Sequence, residues 1–275
     1  MDILSARFTQ ALLSGMVAGS SPMDGGVSEA AARTIAETVR AGVDVNGLHT
    51  TSGGFSSRFN SWAWHIPGLP RAGVLSAPYL LTAVARNSPQ LVELLLSLGA
   101  DPNTDSPLTP LYMAAALRNV GVMRHLLDHG ADPSTVSPLS GEPPIVAAAR
   151  MCTPDAVAAF RLLLDAGVDP ATGYGVALAA YERLYVDGSD KTHARLQLGL
   201  IDACVQNWTP PASFMARAFA TGSTTLIDTA IRCLGPPLLA DCSRFYASIP
   251  LARRRSAARR LHADGPAVAA APAGV

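Results

Sequence analysis

Leu91, Leu94, Leu95 and Leu98 recur at the three- and four-residue spacing that puts side chains on one face of an α-helix. The stripe returns as Val122, Met123, Leu126 and Leu127, and again as Val157, Phe160, Leu163 and Leu164. Each stripe runs into a glycine, Gly99, Gly130 or Gly167, then a small residue, Asp and Pro. Glycine there predicts a helix end, because the residue past the last turn commonly takes a left-handed backbone, and Asp-Pro is turn chemistry. Ahead of each stripe lies a shorter, alanine-rich segment that predicts a partner helix: Thr82 to Arg86, Met113 to Leu117, and Val146 to Arg150. Small side chains let such helices approach closely. Pro110 and Pro144 suit a first helical turn, where a missing amide hydrogen costs nothing.

The three glycines stand 31 and 37 residues apart, and Gly42-Val43-Asp44-Val45-Asn46 reads as an earlier member of the series. A period in the thirties signals a stacked solenoid, whose units bury their apolar faces only against their neighbours. Two stretches then carry a resemblance. Thr109-Pro110-Leu111-Tyr112-Met113-Ala114-Ala115 resembles the T-P-L-H-x-A-A of ankyrin repeats, and Leu126-Leu127-Asp128-His129-Gly130-Ala131-Asp132 resembles their L-L-x-x-G-A-D. Tyr112 replaces the motif histidine, and Arg118 stands where a turn glycine is usual.

The resemblance implies an all-α, ankyrin-like helical solenoid of about five to six helix pairs with one long loop insertion near the N-terminus. Residues 1–46 are expected to form N-terminal capping helices and a half repeat, 47–76 the insertion, and 77–171 well-matched repeats. Residues 172–236 follow as degenerate repeats, with helices over Val176 to Val186, Thr192 to Val205, Ser213 to Ala220 and Thr224 to Leu234. Gly173-Tyr174-Gly175 is read as a turn, 237–263 as a C-terminal cap, and 264–275 as a disordered tail. The first residues predict an amphipathic helix rather than an export signal, because Asp2, Thr9, Gln10 and Ser14 interrupt any apolar leader.

Composition narrows the function. Basic and acidic residues balance at 21 each, so no global field draws the chain to phosphate backbones or anionic lipid. No run of eighteen apolar residues predicts a membrane span. Arg253, Arg254, Arg255, Arg259 and Arg260 form one basic cluster, read as the solvated face of the terminal cap. Cys152, Cys204, Cys233 and Cys242 are too widely spaced for a zinc site and are expected as free thiols, which favours a cytoplasmic location. Delivery into a host cell is the alternative if the source is a host-associated bacterium.

Nor does catalysis find a foothold, since GxSxG, GxxxxGK[ST], HExxH and SxxK motifs are all missing from the sequence. His125 and His129 share a helix face but have no third ligand in view, so neither metal nor cofactor is assigned. The expectation is a non-enzymatic module that binds another protein, with no nucleic acid, membrane or small-molecule substrate. By position, the resemblance implies binding through turn tips and exposed faces of the first helices. Those positions are Asn103, Thr104 and Asp105, then Ser134, Thr135 and Val136, then Thr172 and Tyr174, with Met113, Arg118 and Asn119 from a first helix.

The insertion adds Phe55, Phe59, Trp62 and Trp64. These aromatics serve either as cover for the edge of the solenoid or as a recognition finger, aromatic residues being frequent interface hot spots. Two alternatives stand beside this reading. One is a dedicated inhibitor, immunity or effector protein acting on a single enzyme. The other is an enzyme hidden in the C-terminal half around Asp187, Asp190 and His193.

Overall fold

The computed structural model describes residues 3–14, 27–51, 75–104, 106–150, 153–187, 191–211 and 213–239. Every alanine-rich segment is a helix there, and every one starts earlier than its alanines suggest. α1 (Ile3–Ser14) and α2 (Glu29–Arg40) lead to a short antiparallel pair, β1 (Leu48–Thr51) and β2 (Leu75–Pro78). Three helix pairs follow: α3 (Tyr79–Ala85) with α4 (Pro89–Ser97), α5 (Pro110–Ala116) with α6 (Val120–Asp128), and α7 (Pro144–Ala149) with α8 (Pro154–Asp165). α5 and α7 begin at Pro110 and Pro144, in the first-turn positions expected of them, and α3 begins at Tyr79, directly after Pro78 at its N-cap, rather than at Thr82. At α5 the Thr109 hydroxyl also accepts from the Tyr112 amide at 3.3 Å.

All residues of α3, α5 and α7 are buried. α5 packs against α3 and α7, its neighbours in the stack, and against α6 and α8. The longer helices bury one face only: Leu91, Val92, Leu95 and Leu96 in α4, and Val122, Met123 and Leu126 in α6. Expected stripe residues Leu94 and Leu127 are only half-buried, and Leu96 takes a core position instead.

Gly42, Gly99, Gly130 and Gly167 all have φ between +86° and +102°. At Gly130 this lets the Ala131 amide reach back to the Leu126 carbonyl at 2.9 Å while the Gly130 amide bonds Leu127 O at 3.0 Å. The turn at the other end of each pair does the same without glycine. Asn87 (φ 57°) and Arg118 (φ 59°) both sit in the left-handed region, and the following amides return to Ala83 O and Ala114 O. Arg118 therefore keeps the turn geometry of the glycine it replaces and carries the steric cost.

The chain divides into two compact units between Asp169 and Pro170. In the second, α9 (Pro170–Asp187) pairs with α10 (Lys191–Asn207), and α11 (Ser213–Thr221) with α12 (Thr224–Leu239). Gly173-Tyr174-Gly175 is helical, not a turn: Pro170 opens α9 six residues before the expected start, and burial of Tyr174 offsets the weak helix propensity of its flanking glycines. α12 continues beyond Leu234 through Pro236 and Pro237, whose fixed φ falls within the helical range. Glu182 and Arg217 tie α9 to α11 by two bonds of 2.7 and 2.6 Å. Asp202 ties α10 to Thr229 and Arg232 of α12. Cys204 and Cys233 are free thiols. The six consecutive helix pairs among the described residues make the chain an all-α, ankyrin-type helical protein.

Replacing Arg118 by glycine should remove the left-handed penalty of about 1–2 kcal/mol and lose somewhat less to unfolded-state entropy. The expected result of Arg118→Gly is a higher urea midpoint with an unchanged m-value.

Candidate functional site

Aspartate shapes each turn tip. The Asn46 amide donates to Asp44 Oδ1 (2.9 Å), the Asn103 amide to Asp101 Oδ1 (2.8 Å), and the Ser134 amide to Asp132 Oδ1 (2.9 Å). Each closes a small ring that mimics a backbone turn. Asparagine then staples one tip to the next. Asn46 Oδ1 accepts from the Asp101 amide, and Asn103 Oδ1 from the Asp132 amide, both at 2.8 Å. Asn103 Nδ2 also donates to Gly130 O at 2.8 Å, so both ends of this side chain are engaged.

The third tip is longer, with Pro144 of α7 14 positions after Gly130 where Pro110 of α5 is 11 after Gly99. Ser137 and Glu142 form a β-bridge at its base. It is tied back to the second tip at one carbonyl, Pro107 O, which accepts from the Leu139 amide (2.8 Å) and the Ser137 hydroxyl (3.1 Å). Tyr112, the residue in place of the motif histidine, is buried, and burial raises its phenol above the ordinary range while the neighbouring Ser140 draws it partly back. Glu142 pairs with Arg150.

These contacts sort the expected binding residues. Asn103, Ser134 and Val136 are exposed on adjoining tips, Val136 by 52%, and Thr135 is half-buried with its hydroxyl donating to Asp132. Leu48, 60% exposed two residues after Asn46, adds an apolar side chain that periodicity could not flag because it belongs to no stripe. Thr104 is buried, and Asp105 lies outside the described residues. Met113 is fully buried: α5 is enclosed on all sides, so it has no exposed face. Arg118 and Asn119 lie in the turn after α5, separated from the tips by that helix, about 10 Å long. Asn119 caps α6 through the Val122 amide at 3.0 Å and donates to Asn87 in the preceding turn, a second asparagine staple at the opposite end. Thr172 is exposed and Tyr174 buried, both within α9 of the second unit rather than on a tip.

The aromatic insertion, with Phe55, Phe59, Trp62 and Trp64, lies outside the described residues. Its two ends are described. Thr51 pairs with Leu75, and the ladder continues to Leu48 and Pro78, so the excursion starts and finishes at one place. Arg253, Arg254, Arg255, Arg259 and Arg260, together with Asp190, also fall outside the described residues.

Elsewhere, His125 does not face His129 through its ring nitrogens. His125 Nδ1 stands 2.6 Å from Glu93 of α4, while His129 Nδ1 donates to the His125 carbonyl at 2.9 Å. His193 is exposed in the first turn of α10. No helix among the described residues is long and apolar enough to cross a membrane.

Tyr174 packs between Trp208 and Phe214 at centroid distances of 5.0 and 5.4 Å. Burial pushes its phenol well above the ordinary range, and Arg217 draws it only partly back. Its hydroxyl has no hydrogen-bond partner among the described residues.

Against known families, residues 80–173 match the model for ankyrin repeats in three copies. No curated protein matches the chain.

Asn103→Ala deletes two inter-tip hydrogen bonds and should cost about 1–2 kcal/mol, read as a lower urea midpoint. For Tyr174, the folded phenol keeps its proton where the unfolded one loses it, above pH about 10. The unfolded state then binds fewer protons, so stability falls as pH rises past that point. Tyr174→Phe should therefore cost little at neutral pH, its hydroxyl being unpartnered, and should show a shallower decline in alkaline denaturation curves.

Proposed function

From the premise that residues 80–173 are ankyrin repeats, a type of module that binds other proteins, we propose that this chain grips a partner protein along its stapled turn tips. The observation that carries the reading is the asparagine ladder from Asn46 through Asn103 to the third finger. It holds three neighbouring tips in one arrangement before any partner arrives, and a preordered surface loses little conformational entropy on binding. Leu48 and Val136 supply the apolar contacts and Ser134 the polar one, with Asn103 and Thr135 serving mainly to hold the shape. Thr104, Met113 and Tyr174 are left out of the surface because they are buried, and Arg118, Asn119 and Thr172 because they lie away from the tips.

A second reading has the insertion itself as the recognition element, in the manner of an inhibitor that presents one segment to one enzyme. The β1–β2 ladder favours it, since a paired base lets residues 52–74 vary without disturbing the repeats. The two readings separate in one experiment. Native-lysate pull-downs quantified by mass spectrometry would compare wild type, Val136→Arg, and a chain in which 52–74 is replaced by an Asn-Gly turn, each verified as folded by circular dichroism. The tip reading expects Val136→Arg to reduce recovery of the partner by about tenfold or more, a hot-spot loss, with the shortened chain retaining it. Unchanged recovery by Val136→Arg together with loss in the shortened chain would transfer the function to the insertion.

A further inference from the structure

Within the second unit, α9, α10 and α12 line a cleft of about 640 Å³. That volume falls in the range of sites for small organic molecules. Its walls are mainly apolar, with Tyr181, Leu184, Tyr185 and Leu198 among them, and its polar lining residues include Thr225 and Arg195.

Two features give this cleft a chemical preference. The first is a fixed aromatic platform. Tyr185, 40% exposed, stacks on Tyr181 at 5.6 Å and an interplanar angle of 16°. Tyr181 is buried and anchored by hydrogen bonds to Ser223 Oγ (2.5 Å) and Thr225 Oγ1 (3.3 Å). The platform is thus held from below and pre-set for stacking, and a planar ring on Tyr185 gains aromatic contact without ordering the protein.

The second is an uncompensated cation. Arg217 and Arg232 of the same unit are paired with Glu182 and Asp202. Arg195 is exposed, and among the described residues it has no such partner and shares the cleft with no carboxylate side chain. A guanidinium presents a planar fork that matches a carboxylate. The single charge of Arg195 matches one carboxylate, and the apolar walls offer a second negative charge no partner.

We propose that this cleft binds a small aromatic monocarboxylic acid, its ring lying against Tyr185 and its carboxylate held by Arg195. The proposal uses none of the tip residues and stands apart from the protein-binding reading.

Isothermal titration of the full-length chain with phenylacetate and naphthylacetate tests it, with phenylacetamide as the neutral isostere. Saturable binding of the acids is expected, with the amide much weaker. Arg195→Gln should weaken the acids about tenfold or more, the loss of a charge-assisted pair, and leave the amide unchanged. Tyr185→Ala should weaken acid and amide alike. Both side chains are exposed, and thermal melts of each variant would verify that the second unit remains folded. Absence of saturation by about 10 mM, a dissociation constant too weak to be a site, would overturn the proposal. So would acid binding indifferent to Arg195→Gln. Binding of an acetylated peptide ending in phenylalanine, where the free acids do not bind, would also overturn it, by assigning the cleft to a partner's chain end.

Discussion

Close approach of α3, α5 and α7 rests on alanine. Ala83 and Ala85, Ala114 to Ala116, and Ala147 to Ala149 lie at or near zero exposure, so one short helix meets the next across methyl groups rather than long side chains. That separation is what brings consecutive turns within the reach of one asparagine. The Asn46–Asp101 and Asn103–Asp132 bonds at one end and the Asn87–Asn119 bond at the other are spanned by side chains of fixed length. A larger residue in an alanine position would strain the interior, as overpacking does, and would also pull both sets of staples apart. Interior packing and surface geometry are therefore coupled through distance rather than through any single shared contact.

Much of the repeat architecture was legible before any coordinates. The leucine stripes named the long helices, and Gly99, Gly130 and Gly167 named their ends, because each signal is local and physically obligatory. Helix starts were legible where a first-turn proline marked them, at Pro110 and Pro144, and less so at α3, whose alanines mark close packing and not the start at Tyr79. Met113 shows a different limit. Its place in the motif says that it lies on a first helix, but whether a second face of that helix is also covered depends on α3 and α7, whose starts lie 31 residues before and 34 after its own. Gly173-Tyr174-Gly175 was misleading because two glycines outweigh a tyrosine in any local count, while burial against Trp208 and Phe214 decides the outcome.

The binding features were legible only in part for the same reason. Ser134, Thr135 and Val136 follow from their offset to Gly130, but Leu48 belongs to no repeating pattern. The cleft in the second unit draws on Tyr181, Arg195 and Thr225, which meet only through the packing of three helices. Tyr112 in place of histidine looked like decay of the motif. In the folded chain it is buried next to Ser140 and Glu142 of the finger, which is three residues longer than the preceding tip, so the substitution and the longer finger belong together.

Ser134 occupies the position that Asn46 and Asn103 hold in the earlier tips, and its side chain is too short to span to the next one. The asparagine staples themselves run from Asn46 through Asn103 to Asp132. The first unit is then not an evenly elastic spring. Its tips are cross-braced by asparagine from Asn46 to Gly130, and beyond that the finger is tied to Pro107 through Ser137 and Leu139 and to Arg150, at the end of α7, through Glu142. Tension applied along the stack would therefore be carried by the tips as well as by the helices, and the three braced tips would move as one body.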